Sequence, residues 1–274
     1  MKISVVTVCY NIVQDIEKTI LSVLSQTYPD IEYIVIDGGS VDGTLDVIKR
    51  YKDRISYYVS EPDGGIYDAM NKGIRAATGE WINFLNAGDR FYNSRSVEDV
   101  FSNNISEEMD VVYGYQVHSY SYGKFVRKRL PLSFFYKGMP FGHESCFVRA
   151  CEMKSKGFDT SYRIAADYDF FFRLYISGKK FMPVNVLVVD FESMNGVSSS
   201  MKTALLAFRE SSMVNGNIVT AQYKKGVLTL YIRIVIKHFI SFFSEKIVTK
   251  RQKKQRERNE EYIPLERFKF TCDA

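Results

Sequence analysis

Cysteine is scarce in this chain, and its placement excludes two kinds of small-protein stabilisation. The four cysteines, Cys9, Cys146, Cys151 and Cys272, form no CxxC pair and no zinc-binding spacing. A disulfide framework or a structural zinc site is therefore not predicted. The pattern is typical of ordinary thiols in a reducing compartment.

Two common nucleotide-binding motifs are also missing. The glycine turns Gly38-Gly39 and Gly64-Gly65 are adjacent pairs, and neither fits GxGxxG. No GxxxxGK[ST] sequence occurs in the chain. Dinucleotide redox chemistry and ATP hydrolysis thus lack their usual sequence signatures.

Long uncharged apolar runs are absent as well. No stretch of about 20 uncharged apolar residues occurs, so no membrane span is predicted. The opening residues "MKISVVTVCYN" are short and β-branched, without a small-residue cleavage site. They predict a first strand and not a signal peptide.

The composition predicts one large folded domain with an appendage. The 274 residues are 46% hydrophobic and 15% aromatic, which permits a substantial core. The formal net charge is +5, and much of it comes from one C-terminal basic run. We expect a domain over residues 1–222 and a tail over residues 223–274.

The pattern along the first hundred residues predicts an α/β fold. Four apolar runs, "ISVVTVC", "IEYIVID", "ISYYVSE" and "EWINFL", alternate with segments of helical periodicity. Nearly continuous apolar strands that alternate with helices are typical of a mostly parallel sheet with helices on both faces. Ligands of such sheets bind beyond the carboxyl ends of the strands. Polar clusters follow three of these strands.

The tail is strongly apolar and then basic. A helix over Val227 to Phe243 would be roughly 25 Å long and would keep one polar stripe. The basic run "TKRQKKQRER" follows it. Peripheral contact of residues 227–254 with an anionic membrane is one interpretation. Packing of the helix on the domain or on a partner chain is the other, and an oligomer stays possible.

Four motifs in order carry a family resemblance. They are "ISVVTVCYN", "TILSVLSQTYPDIEYIVIDGGSVDGT", "SEPDGGIYDAMNKGIRAATGEWINFLNAGD" and "GFDTSYRIAADYDFFFRL". Over roughly residues 1–200 the chain resembles glycosyltransferase family 2, which comprises inverting enzymes of the Rossmann-like GT-A fold. The resemblance implies a nucleotide-binding half over residues 1–100 and an acceptor-side half over residues 101–222.

The resemblance also implies an activity and a location. We expect a hexosyltransferase-type enzyme that moves a sugar from a nucleotide-diphosphate donor, UDP by family habit, to a hydroxyl group. The acceptor would be a glycan or lipid-linked saccharide of bacterial envelope polysaccharide, made at the inner face of the cytoplasmic membrane. Nucleic acid is not an expected partner.

The family's metal-binding DxD motif is reduced in this chain. The segment Asn86-Ala87-Gly88-Asp89 keeps only the last acid. By resemblance, Asp89 would help to hold a Mg²⁺ or Mn²⁺ cofactor, which often needs only one or two carboxylates plus substrate phosphates. The alternative is that Asp89 stabilises the turn.

Six residues are expected by resemblance to contact the nucleotide, namely Thr7, Tyr10, Asn11, Asp37, Asp63 and Asn71. The family commonly has a second acid after Asp37, whereas this chain has Gly38. The alternative for each of the six is a structural role in strand packing, turns or helix starts.

Asp167 is the expected catalytic base. It aligns with the acid of the family's Glu-Asp motif, in which Ala166 here replaces the glutamate. The alternative is an acid that stabilises the start of a helix. Asp169 is the fallback base. Asn86, His143, Asp169 and Arg173 are weaker candidates for contact with the acceptor or donor sugar.

Two other functions compete with this interpretation. A non-catalytic nucleotide-sugar-binding subunit of a glycan assembly complex would explain the reduced DxD motif. A sugar nucleotidyltransferase would share the sheet, but it requires a basic loop after the first strand. The corresponding segment "CYNIVQD" has no lysine or arginine.

Overall fold

The computed structural model describes residues 1–192, 201–216, 256 and 262–270. The strands in this part of the chain are β1 (Ile3–Cys9), β2 (Ile31–Asp37), β3 (Tyr57–Ser60), β4 (Trp81–Phe84), β5 (Arg90–Phe91), β6 (Val111–Tyr120), β7 (Gly123–Arg127), β8 (Cys146–Arg149), β9 (Phe181–Glu192) and β10 (Tyr262–Pro264). The helices are α1 (Ile16–Leu24), α2 (Thr44–Arg50), α3 (Ile66–Ala76), α4 (Ser96–Phe101), α5 (Ala150–Lys156), α6 (Ala166–Ile176) and α7 (Met201–Val214).

The strands form one mixed sheet in the order β10-β7-β6-β8-β4-β1-β2-β3, with β9 paired to β6 and β5. Strands β4, β1, β2 and β3 are parallel, as the alternating pattern predicted. Residues 111–149 add antiparallel strands, including a hairpin of β6 and β7. The predicted α/β class is therefore confirmed.

Strand β1 is buried along its whole length because both faces of the sheet are covered. Val6 and Val8 face the core that includes α3, and Ile3 and Val5 face the core that includes α1. Each fully buried aliphatic side chain contributes about 1.5–3 kcal/mol. Helix α3 approaches β1 closely at Gly73, where a Cβ atom would lie 2.4 Å from Cγ1 of Val6.

The parallel register brings the carboxyl ends of three strands to one edge. Cys9 at the end of β1 is paired with Asp37 at the end of β2, and Val6 of β1 with Phe84 of β4. The Gly38 amide donates to the Cys9 carbonyl at 2.9 Å. The polar segments that follow these strands therefore lie along one crevice.

Part of the predicted tail belongs to the sheet. Strand β10 pairs antiparallel with β7, and the Phe268 ring lies 4.9 Å from the Tyr115 ring. This return of the chain covers the open edge of β7, which would otherwise expose unpaired backbone groups. Residues 262–270 thus pack on the domain, whereas residues 227–243 lie outside the described residues. No helix in the described ranges combines the length and apolarity needed to cross a bilayer.

Candidate active site

Asp167 lies in the first turn of α6 and has two side-chain partners. Its Oδ2 atom is 3.2 Å from Nδ1 of His143. Its Oδ1 atom is 2.9 Å from the Tyr67 hydroxyl, whose one hydrogen it shares with the Ile164 carbonyl at 2.6 Å. The Asp167 side chain is 18% exposed, so one side of it still faces solvent. This geometry suits a carboxylate that is held in one orientation while remaining accessible to a substrate hydroxyl.

The surroundings favour the charged forms of both Asp167 and His143. Burial alone would raise the pKa of Asp167, but the hydrogen bond and charge of His143, with the Tyr67 hydroxyl, lower it below its usual value. Burial alone would lower the pKa of His143, but Glu144, Asp167 and Asp89 raise it to about 9. An ionised carboxylate therefore faces an imidazolium at neutral pH.

Asn86 touches the other side of the same imidazole. Its Nδ2 atom lies 3.4 Å from Nε2 of His143, while its buried Oδ1 atom has no hydrogen-bond partner among the described residues. Amide nitrogen and oxygen positions are assigned from the hydrogen-bond network. Because an imidazolium carries a proton on Nε2, rotating the amide would give that proton an acceptor. His143 then bridges Asn86 and Asp167.

Asp89 ends the polar turn that follows β4. It is 6% exposed, and its carbonyl accepts a hydrogen bond from the Thr19 hydroxyl at 2.7 Å. Its amide closes the turn onto the Asn86 carbonyl at 3.0 Å. The negative charges of Asp167 and Asp89 both raise the pKa of His143.

The donor atoms fit a divalent cation only together with a substrate. Among the described residues no three histidine, cysteine, aspartate or glutamate side chains could hold a metal ion. Asp89 offers one buried carboxylate. Mg²⁺ is commonly bound by one or two carboxylates plus substrate phosphates and water. The single Asp89 carboxylate is therefore compatible with a divalent cation that binds together with a diphosphate.

Tyr10, Gly38 and Asp63 form an open wall of the crevice. The Tyr10 side chain is 64% exposed, and its ring lies 3.3 Å from where a Cβ atom on Gly38 would be. Asp63 comes from the loop after β3, and its Oδ1 atom accepts the Gly65 amide at 2.8 Å. An exposed ring beside a carboxylate is suited to stacking and hydrogen bonding with a nucleobase.

Thr7 and Asp37 support this wall from within. Both are fully buried. The Thr7 hydroxyl donates to the Leu85 carbonyl, and Asp37 accepts from the Ser40 amide at 3.1 Å and the Ser60 hydroxyl at 2.6 Å. Their polar atoms are thus used to join neighbouring strands and loops, and direct nucleotide contact by either residue stays a prediction.

Asn11 and Asn71 also have structural partners. Asn11 has a φ angle of 47°, and its Oδ1 atom accepts the Val41 amide at 2.9 Å. Asn71 makes two hydrogen bonds to the backbone of Phe158, which tie α3 to the loop after α5. Asn11 lies at the exposed mouth of the crevice, whereas the Asn71 side chain is used to connect α3 to the loop after α5.

Asp169 and Arg173 pair with each other one turn apart on α6. The Arg173 Nε atom lies 2.7 Å from Oδ2 of Asp169, and its Nη2 atom donates to the Gly157 carbonyl. The pair therefore fixes the start of α6 to the loop after α5. Of the two acids in this segment, Asp167 is the one that contacts His143, and His143 in turn contacts Asn86.

Two residues at the site were not predicted from the sequence. Tyr67 lies on the buried face of α3 and looks like a core aromatic in the helical pattern. Glu144 follows His143, is 6% exposed, and accepts a hydrogen bond from Nε2 of Gln116 at 2.8 Å. In the sequence, the only signal for Tyr67 was a hydroxyl group on a residue of the apolar helix face. The only signal for Glu144 was its position next to His143.

The family profile described as "Glycosyl transferase family 2" matches residues 4–157. The chain belongs to glycosyl transferase family 2. It is therefore a glycosyltransferase, as the resemblance predicted. The match ends before Asp167, so the base candidate lies outside the segment that the profile describes.

Two relatives named as glycosyltransferases match a longer part of the chain than the profile does. An uncharacterized glycosyltransferase of Mycobacterium tuberculosis (strain CDC 1551 / Oshkosh) is 33% identical over 230 residues, covering 79% of this chain and 81% of that protein. A "PGL/p-HBAD biosynthesis glycosyltransferase" of Mycobacterium bovis (strain BCG / Pasteur 1173P2) is 30% identical over 192 residues, covering 66% and 72%.

Solved structures of similar shape confirm the GT-A fold. S. aureus TarS 1-349 in complex with UDP-GlcNAc has a TM-score of 0.62 at 17% identity, covering 90% of this chain and 74% of that one. The mannosyltransferase PcManGT from Pyrobaculum calidifontis, with GDP-Man and Mn²⁺, has a TM-score of 0.61 at 14% identity, covering 93% and 79%. Against the longer TarS chain the match spans 44% of that protein.

Proposed function

We propose that this family 2 enzyme moves a sugar from a nucleotide-diphosphate donor to an acceptor hydroxyl with inversion, and that Asp167 is the base. The observation that carries the proposal is the Asp167 carboxylate held beside His143 and Tyr67, with Asn86 on the other nitrogen of the same imidazole. A base needs one oriented carboxylate within reach of the hydroxyl.

The proposed reaction is a single displacement. Asp167 accepts the proton of the acceptor hydroxyl while the acceptor oxygen bonds to the anomeric carbon. The bond from that carbon to the diphosphate oxygen breaks, and the diphosphate leaves with the electron pair. Attack from the face opposite the leaving group inverts the anomeric centre. The diphosphate is a good leaving group, so no second carboxylic acid is required, unlike in a glycosidase.

UDP is the proposed nucleotide. The exposed Tyr10 ring offers a stacking surface, and Asp63 Oδ2 offers an acceptor for a ring N–H such as that of uracil. The TarS structure with UDP-GlcNAc and the mannosyltransferase structure with GDP-Man share the fold. A carboxylate also accepts from guanine, and the binding screen below compares UDP-sugars with GDP-sugars. Asn11 would contribute at the mouth of the crevice.

Asp89 is the proposed protein ligand of Mg²⁺ or Mn²⁺. When bound, such an ion supplies positive charge to the departing diphosphate. Asn86 and His143 would face the donor sugar or the acceptor.

We propose an envelope glycan or lipid-linked saccharide as acceptor, at the inner face of the cytoplasmic membrane. The apolar and basic segment 227–254 supports membrane contact by its composition. A relative that is 30% identical has a name referring to PGL/p-HBAD biosynthesis. Residues 1–222 would form the catalytic unit, and residues 223–274 would attach this unit to the membrane. Within the tail, strand β10 belongs to the sheet of the catalytic unit.

The deciding experiment compares Asp167→Asn with Asp169→Asn. A panel of nucleotide sugars is first screened for binding by calorimetry, with and without Mn²⁺. With the donor so identified, Asp167→Asn should lower kcat by about 10²–10⁴-fold and leave donor affinity within error. Asp169→Asn should lose much less. Full turnover by Asp167→Asn would remove it from the base role, and donor binding without any transfer by the wild type would favour the non-catalytic subunit.

A further inference from the structure

Helix α7 contributes one buried acid to the segment that leads into α6. Glu210 is 6% exposed, and its carboxylate accepts hydrogen bonds from three successive backbone amides. The distances are 3.0 and 3.2 Å from Arg163, 2.8 Å from Ile164 and 3.0 Å from Ala165. Three amides that converge on one carboxylate fix the backbone more firmly than a single contact.

The fixed segment leads directly to the proposed base. Helix α6 begins at Ala166, its cap residue Ala165 offers no side-chain hydrogen bond, and Asp167 is the second residue of the helix. Glu210 therefore binds the Ala165 amide from another helix, which is the contact that the N3 acid of a capping box would otherwise make.

The same peptide unit is also held from the opposite side. The Ile164 carbonyl accepts a hydrogen bond from the Tyr67 hydroxyl at 2.6 Å, and that hydroxyl lies 2.9 Å from Oδ1 of Asp167. The peptide that joins Ile164 to Ala165 thus accepts from Tyr67 through its carbonyl and donates to Glu210 through the Ala165 amide. A displacement of this peptide would move both the start of α6 and the hydroxyl that orients the base.

We infer that Glu210 is a positioning residue for transfer, which acts through the Arg163–Ala165 backbone to hold the Asp167 carboxylate in its working orientation. This inference rests on the proposed role of Asp167. It assigns a part in the reaction to α7, which lies beyond the residues 4–157 matched by the family profile. Misplacement of a catalytic group by about 1 Å can cost about 10²-fold in rate.

The test uses Glu210→Gln in the full chain. An amide keeps the size of the side chain but removes its negative charge, and a neutral oxygen accepts more weakly from the backbone amides than a carboxylate oxygen does. We expect kcat to fall by about 10- to 100-fold while the donor KM stays within about threefold. Hydrogen exchange followed by mass spectrometry should show faster exchange of the Ile164 and Ala165 amides.

Ser212→Ala is the matched control. Ser212 is on the same helix, is also 6% exposed, and its hydroxyl donates to Phe208 of its own helix at 2.7 Å. The Ser212→Ala substitution should leave kcat and the hydrogen exchange of the amides of residues 163–165 unchanged. If Glu210→Gln unfolds, Glu210→Asp keeps the charge and should give a partial loss of kcat with measurable donor binding.

The Asp167→Asn background separates positioning from general damage. With the base removed, adding Glu210→Gln should change the residual rate by less than about twofold, since residues in one unit are not additive. An equal loss in both backgrounds, or a wild-type kcat for Glu210→Gln, would overturn the inference. A fully active Asp167→Asn would instead defeat the proposed function itself, so the two failures are distinct.

Discussion

Asp63 occupies the space that a side chain on Gly38 would need. A Cβ atom at Gly38 would lie 2.5 Å from Oδ2 of Asp63, which comes from the loop after β3. The second acid that is common in the family after Asp37 is missing here, and a carboxylate from a different loop lies at that place. The glycine at position 38 is therefore what leaves room for the Asp63 carboxylate.

We predict that Gly38→Ala weakens nucleotide binding without unfolding the protein. The new methyl group would displace the end of the short Asp63 side chain, which can rotate away more easily than backbone can shift. The UDP dissociation constant measured by calorimetry should rise by about tenfold, which corresponds to about 1.4 kcal/mol. The melting temperature should change by only a few degrees.

Gly64→Ala is the control for this substitution. A Cβ atom there would meet its nearest neighbour, the Asp68 side chain, at 3.7 Å, which is ordinary van der Waals contact. It should leave the UDP affinity near that of the wild type. Equal affinities for Gly38→Ala and Gly64→Ala would argue against a role for Asp63 in the nucleotide site.

Tyr67→Phe should slow transfer more than it weakens donor binding. The change removes one buried hydroxyl and keeps the ring that packs 5.6 Å from Phe158. A hydrogen bond to a charged group is worth about 1.5–3 kcal/mol, so we expect kcat to fall by about 10- to 100-fold. Steady-state kinetics with the donor varied would measure kcat and KM separately.

Tyr168→Phe is the comparison for Tyr67. Its ring is also buried, but its hydroxyl donates to the Phe135 carbonyl, away from the base. The Tyr168→Phe substitution should lower the melting temperature and leave kcat unchanged. A loss of kcat that was as large for Tyr168→Phe would show that any buried tyrosine hydroxyl in this region matters equally.

His143 should make stability depend on pH in the alkaline range. Because its pKa is raised from 6.5 to about 9 by Glu144, Asp167 and Asp89 against the effect of burial, its charged form stabilises the fold. That contribution is fully present below pH 6.5 and is lost as pH rises through 9. The difference in melting temperature between wild type and His143→Gln should therefore shrink from pH 6.5 to 9.5.

His118→Gln provides the matched comparison for this pH series. Burial lowers the pKa of His118 to about 3, so it is neutral throughout this range. Its effect on melting temperature should be constant between pH 7.5 and 9.5. A constant difference for His143→Gln over the same interval would contradict an imidazolium beside Asp167.

The basic run in the tail should control binding to anionic vesicles. Deleting everything after residue 222 would also remove β10 from the sheet, so substitution is the cleaner change. Replacing Lys250, Arg251, Lys253 and Lys254 by glutamine should weaken cosedimentation with anionic vesicles by at least about tenfold, since each charge contributes about 1 kcal/mol. Unchanged cosedimentation would refute electrostatic attachment, and neutral vesicles serve as the reference.

The sequence by itself determined the parallel half of the fold and the edge at which the site lies. Apolar runs such as Ile3–Cys9 specify buried strands because their only polar side chains are the small hydroxyl groups of Ser4 and Thr7. Asp89 and Asp167 were both proposed from their motifs. The local pattern is sufficient here because strand burial and turn chemistry depend on neighbouring residues.

Only the tertiary structure decided which side chains meet. Tyr67 and Asp167 are 100 residues apart, and Glu210 reaches Arg163 from another helix. The return of residues 262–264 to β7 likewise has no local signal that names its partner strand. Such contacts depend on how helices and loops pack against the sheet. Packing is decided by the shape and polarity of distant surfaces, which the periodicity of one segment does not contain.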